Sequence, residues 1–412
     1  MTNRPTPPPD LEDSSRLQES LLYSEHYLAA DHRSSSPSQP ATDVFLFLEI
    51  FEREGGIQSY VKDILRGYLT RPHRPAAHVF LLRDRPTSDH PFRRSPLKFH
   101  HFQTRFASLG RMRFTAALLL HLLTQRPRRV FCGHILLARL TQILCGRLGI
   151  PYTVLTYGKE VWQPLPEPVQ QALRQADEIW TISRYTRDRA CAANHLDPDR
   201  FRLLPCAVDE TAFTPGAKPT DLLDHYQLHQ ATVLMTVARL WSGDIYKGVD
   251  VTIRALPAIA QAVPNVKYLV IGRGDDQPRL AKLAADLGVS DRVVFAGFVP
   301  TEQLRDHYRL ADAYVMPSQE GFGIVYLEAM ACGVPVLSGD DDGSADPLQD
   351  GTVGWQVPHR DPEAVAQAGI EMLQKGDRRC DGEWLRQQAI ARFGQAAFHQ
   401  QLHALLESGR LQ

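Results

Sequence analysis

Short apolar runs separated by helical stretches recur along most of this chain. Val44-Phe45-Leu46-Phe47-Leu48 is an unbroken apolar run, followed by Gly55-Gly56 and a helical stretch from Ile57 to Leu69. Further strand-like runs lie at His78–Leu82, Arg129–Cys132, Tyr152–Thr156 and Glu178–Ile182. The same grammar restarts at Thr232–Val237 and continues through Val266–Ile271, Val293–Ala296, Ala313–Met316 and Val334–Leu337. Strands alternating with helices predict parallel sheets covered on both faces. Two such units in tandem, joined near Pro205 to Pro215, predict an α/β protein of two doubly wound domains facing a cleft, with ligands beyond the carboxyl ends of the strands. The expected bounds are 42–207 and 208–382, with a last helical stretch in 383–412. Residues 1–41, rich in Pro, Ser, Asp and Glu, read as a poorly ordered leader.

A length of 412 residues accommodates two domains of ordinary size, and a formal net charge of −1 implies no general affinity for polyanions. The six cysteines have no metal-like spacing and several sit in apolar segments, which fits a reducing cytoplasm rather than a disulfide framework. No apolar run reaches the roughly 18 residues needed to span a bilayer. The first residues lack the basic and apolar pattern of a secretion signal.

Candidate chemistry concentrates in Pro317–Ala329, PSQEGFGIVYLEA. Gly321-Phe322-Gly323 follows a strand and opens a helix, so backbone N–H groups there can approach an anion such as a phosphate. Glu320 and Glu328 bracket that terminus and suit sugar hydroxyls, which together suggests a nucleotide sugar. As a glycosidase pair they fit poorly: eight helical residues rise about 12 Å, whereas glycosidase carboxylates stand roughly 5–9.5 Å apart. Arg239 ends the Thr232–Ala238 strand and Lys247 precedes the next helix, so both cations suit a diphosphate leaving group. The Trp241–Asp244 loop between them is long enough to move. Gly55-Gly56 and Gly272-Arg273-Gly274 each follow a strand, and either is a ligand-approaching turn or simply a turn. His134 stands at a strand end. Asp340-Asp341-Asp342 reads as a solvated loop rather than a metal site, and no metal site is expected elsewhere.

Between Pro91 and Val130 there are nine Lys or Arg and no Asp or Glu, with Arg105, Arg111 and Arg113 flanking Phe106 and Phe114. Such a segment suits an anionic membrane surface, and Ala116–Leu123 reads equally as a core helix. No nucleic-acid motif accompanies it.

The Glu-x7-Glu spacing of Glu320 and Glu328, its Pro-Ser-x-x-Gly-Phe-Gly frame and the following EAMACGVPVL (Glu328–Leu337) resemble retaining glycosyltransferases of family 4, with the GT-B fold. The likeness covers roughly Asp43 to Leu405. It implies two facing Rossmann-like domains, the first for the acceptor and the second for the donor, and a terminal helix crossing back to the first. By the same resemblance, Glu320 lies by the donor sugar, Glu328 binds the ribose, and Arg239 and Lys247 hold the diphosphate. Gly55, Gly56, Gly321, Phe322 and Gly323 approach the donor, Gly272, Gly297 and Phe298 surround its base, and His134 serves the sugar. Where the family often has His-Gly-x-Glu, this chain has Tyr157-Gly158-Lys159-Glu160, and Asp346 stands near a position where many relatives carry Glu. The implied activity is metal-independent hexose transfer from a nucleoside-diphosphate sugar, GDP-mannose before UDP-glucose, to a glycan or lipid-linked acceptor. It needs no cofactor and no nucleic acid, and would take place in the cytoplasm, at the inner face of the membrane where the 91–130 segment touches it. A phosphorylase or sugar-nucleotide epimerase on the same architecture, and a non-catalytic carbohydrate-binding relative, remain as alternatives.

Overall fold

The computed structural model describes residues 42–52, 55–87, 89–374 and 376–408, so the leader expected over 1–41 lies outside the described residues. The first of two sheets contains β1 (Thr42–Phe47), β2 (Ala76–Leu81), β3 (Lys98–His101), β4 (Arg129–Cys132), β5 (Tyr152–Thr156), β6 (Glu178–Thr181) and β7 (Phe201–Leu203). Its spatial order is β3-β2-β1-β4-β5-β6-β7, with every pairing parallel. The second contains β8 (Thr232–Val237), β9 (Val266–Ile271), β10 (Val293–Gly297), β11 (Ala313–Met316), β12 (Val336–Gly339) and β13 (Trp355–Val357), ordered β10-β9-β8-β11-β12-β13 and again all parallel. Both are doubly wound sheets whose strand order reverses once, between β1 and β4 and between β8 and β11. Loops leaving the strands on either side of such a reversal diverge and open a crevice.

The apolar run of β1 is explained by burial on both faces. Val44 and Leu46 join Phe114, Leu118, Val130 and Ala138 on one side, while Phe45 and Phe47 join Tyr60, Ile64, Tyr68 and Phe131 on the other. Phe45 pairs in register with Val79 and Phe131.

The terminal helical stretch is two helices rather than one. Gly382–Phe393 packs on the Ile324–Ala331 helix, whereas Gln395–Ser408 packs on the Gly56–Thr70 helix of the first lobe. The break falls at Gly394, whose backbone is extended (ψ 163°), and there the chain runs beside Val208, which donates its N–H to the Phe393 carbonyl at 2.8 Å. Two crossings between the lobes therefore lie side by side.

Candidate functional site

At the strand-order reversal of the second sheet, the loops leaving β8 and β11 touch. The β8 exit runs through Arg239 into a 3-10 turn, Ser242–Lys247, that stops at Gly248 with φ +75°. A Cβ at Gly248 would lie 2.3 Å from the Pro317 carbonyl oxygen, so only glycine admits the β11 exit loop at that distance. This contact brings the Lys247 ammonium into an ion pair with Glu320, both side chains 17% exposed. Arg239 pairs with the buried Asp244 at 2.9 Å, its own side chain remaining 72% exposed. The loop expected to move is instead tied down. Ser242 donates from its N–H and its hydroxyl to Asp275 at 2.9 and 2.8 Å.

The Glu320 loop is braced from behind. Asp342 accepts the Glu320 N–H at 2.7 Å and the Ser344 N–H at 2.8 Å, and the Glu320 carbonyl accepts from Gly343 at 2.8 Å. Asp342 is only 2% exposed, and burial pushes its carboxyl up to about 7. The reading of Asp340-Asp341-Asp342 as a solvated loop therefore holds for the first two and is corrected for the third, which is buried because it supplies the acceptor the loop backbone needs.

Glu328 is half-buried on the Ile324–Ala331 helix and accepts the Tyr308 hydroxyl at 2.7 Å. Burial pushes it, too, up to about 7. Glu320 and Glu328 hold different partners yet share a neighbourhood: burial and both carboxylates raise the pKa of the Tyr314 hydroxyl behind them. Gly323 begins the helix with φ +87°. Phe322 can face a ligand only through its backbone, because its ring is 2% exposed and packs edge-on against Phe393. On the β9–β10 side, Gly272 donates its N–H to Gly297 at 2.8 Å, and the 54% exposed Phe298 ring lies under the Arg273 guanidinium at 4.8 Å.

The first lobe meets this site through the loop after β5. A Cβ at Gly321 would stand 2.4 Å from the Tyr157 carbonyl oxygen, so the two backbones are nearly in contact. Lys159 reaches across, its ammonium 2.8 Å from the centre of the Tyr246 ring. Partial burial holds that ammonium below the usual lysine range, against the pull of Glu320 and Asp244. Nearby, Arg184 donates its N–H to Asp346 at 2.8 Å and pairs with Asp350 at 2.7 Å. Tyr157, at the position of the family's histidine, is buried and donates its hydroxyl to the Gly133 carbonyl at 2.7 Å. Glu160 turns back to accept the N–H groups of Tyr157 and Gly158.

The remaining candidates flank the reversal of the first sheet. Gly55 and Gly56, after β1, are exposed, and a Cβ at Gly56 would meet nothing within 4 Å. His134, after β4, caps the Ile135–Leu148 helix, its Nδ1 accepting the Leu136 N–H at 3.1 Å. Burial and nearby Arg83 lower its pKa, so the ring is neutral and carries its proton on Nε2. Among the described residues, no hydrogen bond or ion pair joins these three to the Lys247–Glu320 pair.

Comparison with known proteins bears on this arrangement. Residues 231–375 match the family described as Glycosyl transferases group 1. These residues form a group 1 glycosyltransferase domain. The chain is 36% identical over 233 residues to a GDP-mannose-dependent alpha-(1-6)-phosphatidylinositol monomannoside mannosyltransferase of Mycolicibacterium smegmatis, covering 53% of this chain and 59% of that one. It is 31% identical over 230 residues to a D-inositol 3-phosphate glycosyltransferase of Acidothermus cellulolyticus, covering 52% and 51%. The chain thus spans between half and three-fifths of the length of these relatives. Among solved structures, Anabaena HepE in complex with UDP aligns at TM-score 0.72 and 19% identity, covering 89% of this chain and all of that one. Sucrose-phosphate synthase from Thermosynechococcus elongatus aligns at 0.70 and 20%, covering 89% and 98%. The fold is GT-B.

At this site, the residues that sequence reasoning missed are the partners. Asp244 and Asp342 sit in Gly/Ser/Asp-rich turns that look solvated, and no local pattern marks either as buried. Lys159 had a signal, a cation between a glycine and a glutamate after a strand, but its place beside Tyr246 depends on a contact between two lobes.

Proposed function

We propose that this protein is a retaining, metal-independent glycosyltransferase that moves mannose from GDP-mannose to a hydroxyl of a glycan or lipid-linked acceptor, with UDP-glucose the next donor to test. The observation that carries the reading is the meeting of Lys247 with Glu320, beside Arg239 and facing Lys159, where the loop after β5 of the first lobe reaches the strand-order reversal of the second sheet. The GDP-mannose dependence in the name of the 36% identical relative supports GDP-mannose.

In this account the bond between the sugar's anomeric carbon and the diphosphate oxygen breaks, and its electron pair leaves with the phosphate. Lys247 and Arg239 stabilise that growing charge, which is where fixed cations lower a barrier most. Lys247 first exchanges the Glu320 carboxylate for a phosphate oxygen, freeing Glu320 to orient the sugar. The acceptor oxygen bonds to the same face of the anomeric carbon, and its proton passes to the departing phosphate. Glu328 meets the ribose.

Contact with an anionic membrane surface is part of the proposal. The Ala107–Gln125 helix buries Gly110, Phe114, Leu118 and Leu122 on one side and exposes Leu109, Met112, Leu119, Leu120 and Leu123 on the other. Both readings of this segment thus have support in one helix, and exposed Arg105, Arg111 and Arg113 flank the outer face. Among the described residues, no helix is long and apolar enough to cross a membrane. The site of action would be the cytoplasmic face of that membrane.

The deciding experiment is a thermal-shift and turnover screen of GDP-, UDP- and ADP-sugars. A ligand at a hundredfold excess over its dissociation constant adds about 2.7 kcal/mol of stability. GDP-mannose should stabilise the protein and release GDP only when an acceptor is present. Binding without turnover on any acceptor would favour the non-catalytic alternative, and a requirement for inorganic phosphate would favour a phosphorylase.

A further inference from the structure

Tyr246 lies half-buried in the Ser242–Lys247 turn, between Asp244 and Lys247, and no step of the transfer uses it. The turn is two pieces that meet at Asp244, whose backbone leaves the helical region (φ −109°, ψ 27°). Asp244 holds Arg239, and Lys247 meets Glu320. The spacing of the two cations therefore depends on what fixes one piece of the turn to the other.

The Tyr246 side chain does so from several directions. Its ring centre lies 5.4 Å from the Lys247 ammonium and 2.8 Å from that of Lys159, which comes from the first lobe. An aromatic face attracts cations, so one ring engages both. Burial, the carboxylates of Glu320 and Asp244, and a hydrogen bond to Asp244 raise the pKa of its hydroxyl, which stays protonated and bridges the kink. Its backbone carbonyl accepts the Gln319 N–H at 3.1 Å, next to Glu320.

Lys159 is aimed by its own loop. It opens a 3-10 turn, Lys159–Val161, behind Gly158, whose φ of +151° favours glycine. A Cβ at Gly158 would stand 3.3 Å from the Gly321 Cα, so this loop abuts the one that carries Glu320. The Glu160 carboxylate accepts the Tyr157 and Gly158 N–H groups and fixes the turn from inside. A cation of one lobe thus reaches Tyr246 from a rigid base, within the field of Arg239, Lys247, Glu320 and Asp244.

We infer that Tyr246 is a positioning residue: Lys159 seats on its ring, and the seated ring aims Lys247 and Arg239 at the leaving group. Contact between the lobes is thereby coupled to assembly of the leaving-group site. The effect on turnover rests on the transferase reading, and the contact itself does not.

The test is a double-mutant cycle in the full chain, read by kcat and KM with GDP-mannose, by GDP affinity and by Tm. Lys159→Met and Tyr246→Leu keep apolar bulk and remove the cation or the aromatic face. Each should lower kcat about tenfold, with a smaller change in GDP affinity, because cation placement matters most as charge develops on the leaving group. The double variant should fall no further than the worse single one, in kcat and in Tm. Lys159→Arg should recover most of the loss, and Tyr246→Phe, which keeps the ring, should cost less than Tyr246→Leu. Losses that multiply in the double variant overturn the inference, as do wild-type rates in Tyr246→Leu. GDP affinity falling as far as kcat in Lys159→Met alone would make Lys159 a direct phosphate contact and also overturn it. Absence of turnover by the wild type with every nucleotide sugar would sink the transferase reading and the role in turnover with it, while the Tm cycle still decides the contact between the lobes.

Discussion

In the second lobe, the charged groups at the strand-order reversal satisfy one another, whereas in the first lobe two cations beyond β2 and β3, Arg83 and Arg111, face solvent. Lys247 has Glu320, Arg239 has Asp244, and Asp342 holds the loop that carries Glu320. Gly56 stands in open space, and the Arg83 and Arg111 side chains have no hydrogen-bond or ion-pair partner among the described residues. The difference is informative because the two sheets share one topology. A crevice whose charges are already paired is pre-organised for a ligand that replaces one partner. An open crevice leaves its cations hydrated until the ligand arrives. The first arrangement suits a donor held in one geometry for bond breaking, and the second suits acceptors that vary.

The sharpest way to break this comparison is to remove a paired cation. Lys247→Ala should lower turnover by on the order of a hundredfold or more, as loss of one transition-state donor does. Arg239→Ala should also fall by about a hundredfold, but Lys247 should prove the more costly, because its ammonium is shielded from water while Arg239 is 72% exposed. Steady-state rates with GDP-mannose, alongside GDP affinity, separate the chemical step from binding. Wild-type rates in both variants would remove the leaving-group role.

A second effect concerns Glu328. Its folded-state pKa of about 7 exceeds the ordinary value of 4.5, so across that interval the native chain keeps a proton that the unfolded chain has lost. Stability must therefore fall as pH rises from about 4.5 to about 7 and level off above. Glu328→Gln keeps the Tyr308 bond and carries no charge, so ligand-free melting curves should lose part of that slope, a change of a few degrees in Tm, on the order of 1–3 kcal/mol. Asp342 titrates in the same window and keeps a residual slope in the variant. An unchanged slope would mean that Glu328 is solvated.

Much of the fold is legible in the chain because both sheets are buried on both faces, and such strands are written as apolar runs. The three strands not recognised from sequence, Lys98–His101, Phe201–Leu203 and Trp355–Val357, all lie at sheet edges. Edge strands are short and tolerate polar residues, so Lys-Phe-His-His carries no apolar signature. The break at Gly394 was hidden because helical periodicity continues on both sides of it. In the site, the positions of Arg239, Lys247 and Glu320 were legible because each follows a strand or precedes a helix, and that of Glu328 because it lies one helical stretch beyond Glu320. Their partners were not: Glu320 meets Lys247 from 73 residues away, and Lys159 meets Tyr246 from another lobe. The packing of the Phe322 ring against Phe393 was not legible either, because nothing local marks which motif side chain serves the core.

The smallest expected effect lies on the open lobe, in the outer face of the Ala107–Gln125 helix. Leu120 and Met112 are 63% and 64% exposed, and Met112 stands between Arg111 and Arg113 in sequence. Burying one such side chain in a membrane interface contributes about 1.5–3 kcal/mol at most, and partial insertion gives less. Leu120→Asp should therefore weaken binding to anionic vesicles about tenfold, with turnover on a soluble acceptor unchanged and little change in Tm, because the buried face of the helix is untouched. Cosedimentation at two salt concentrations separates the two contributions, since the arginine part is screened by salt and the leucine part is not. If vesicle affinity ignores Leu120→Asp but collapses with salt, this lobe meets membranes through charge alone, and its contrast with the donor lobe narrows to the pairing of cations.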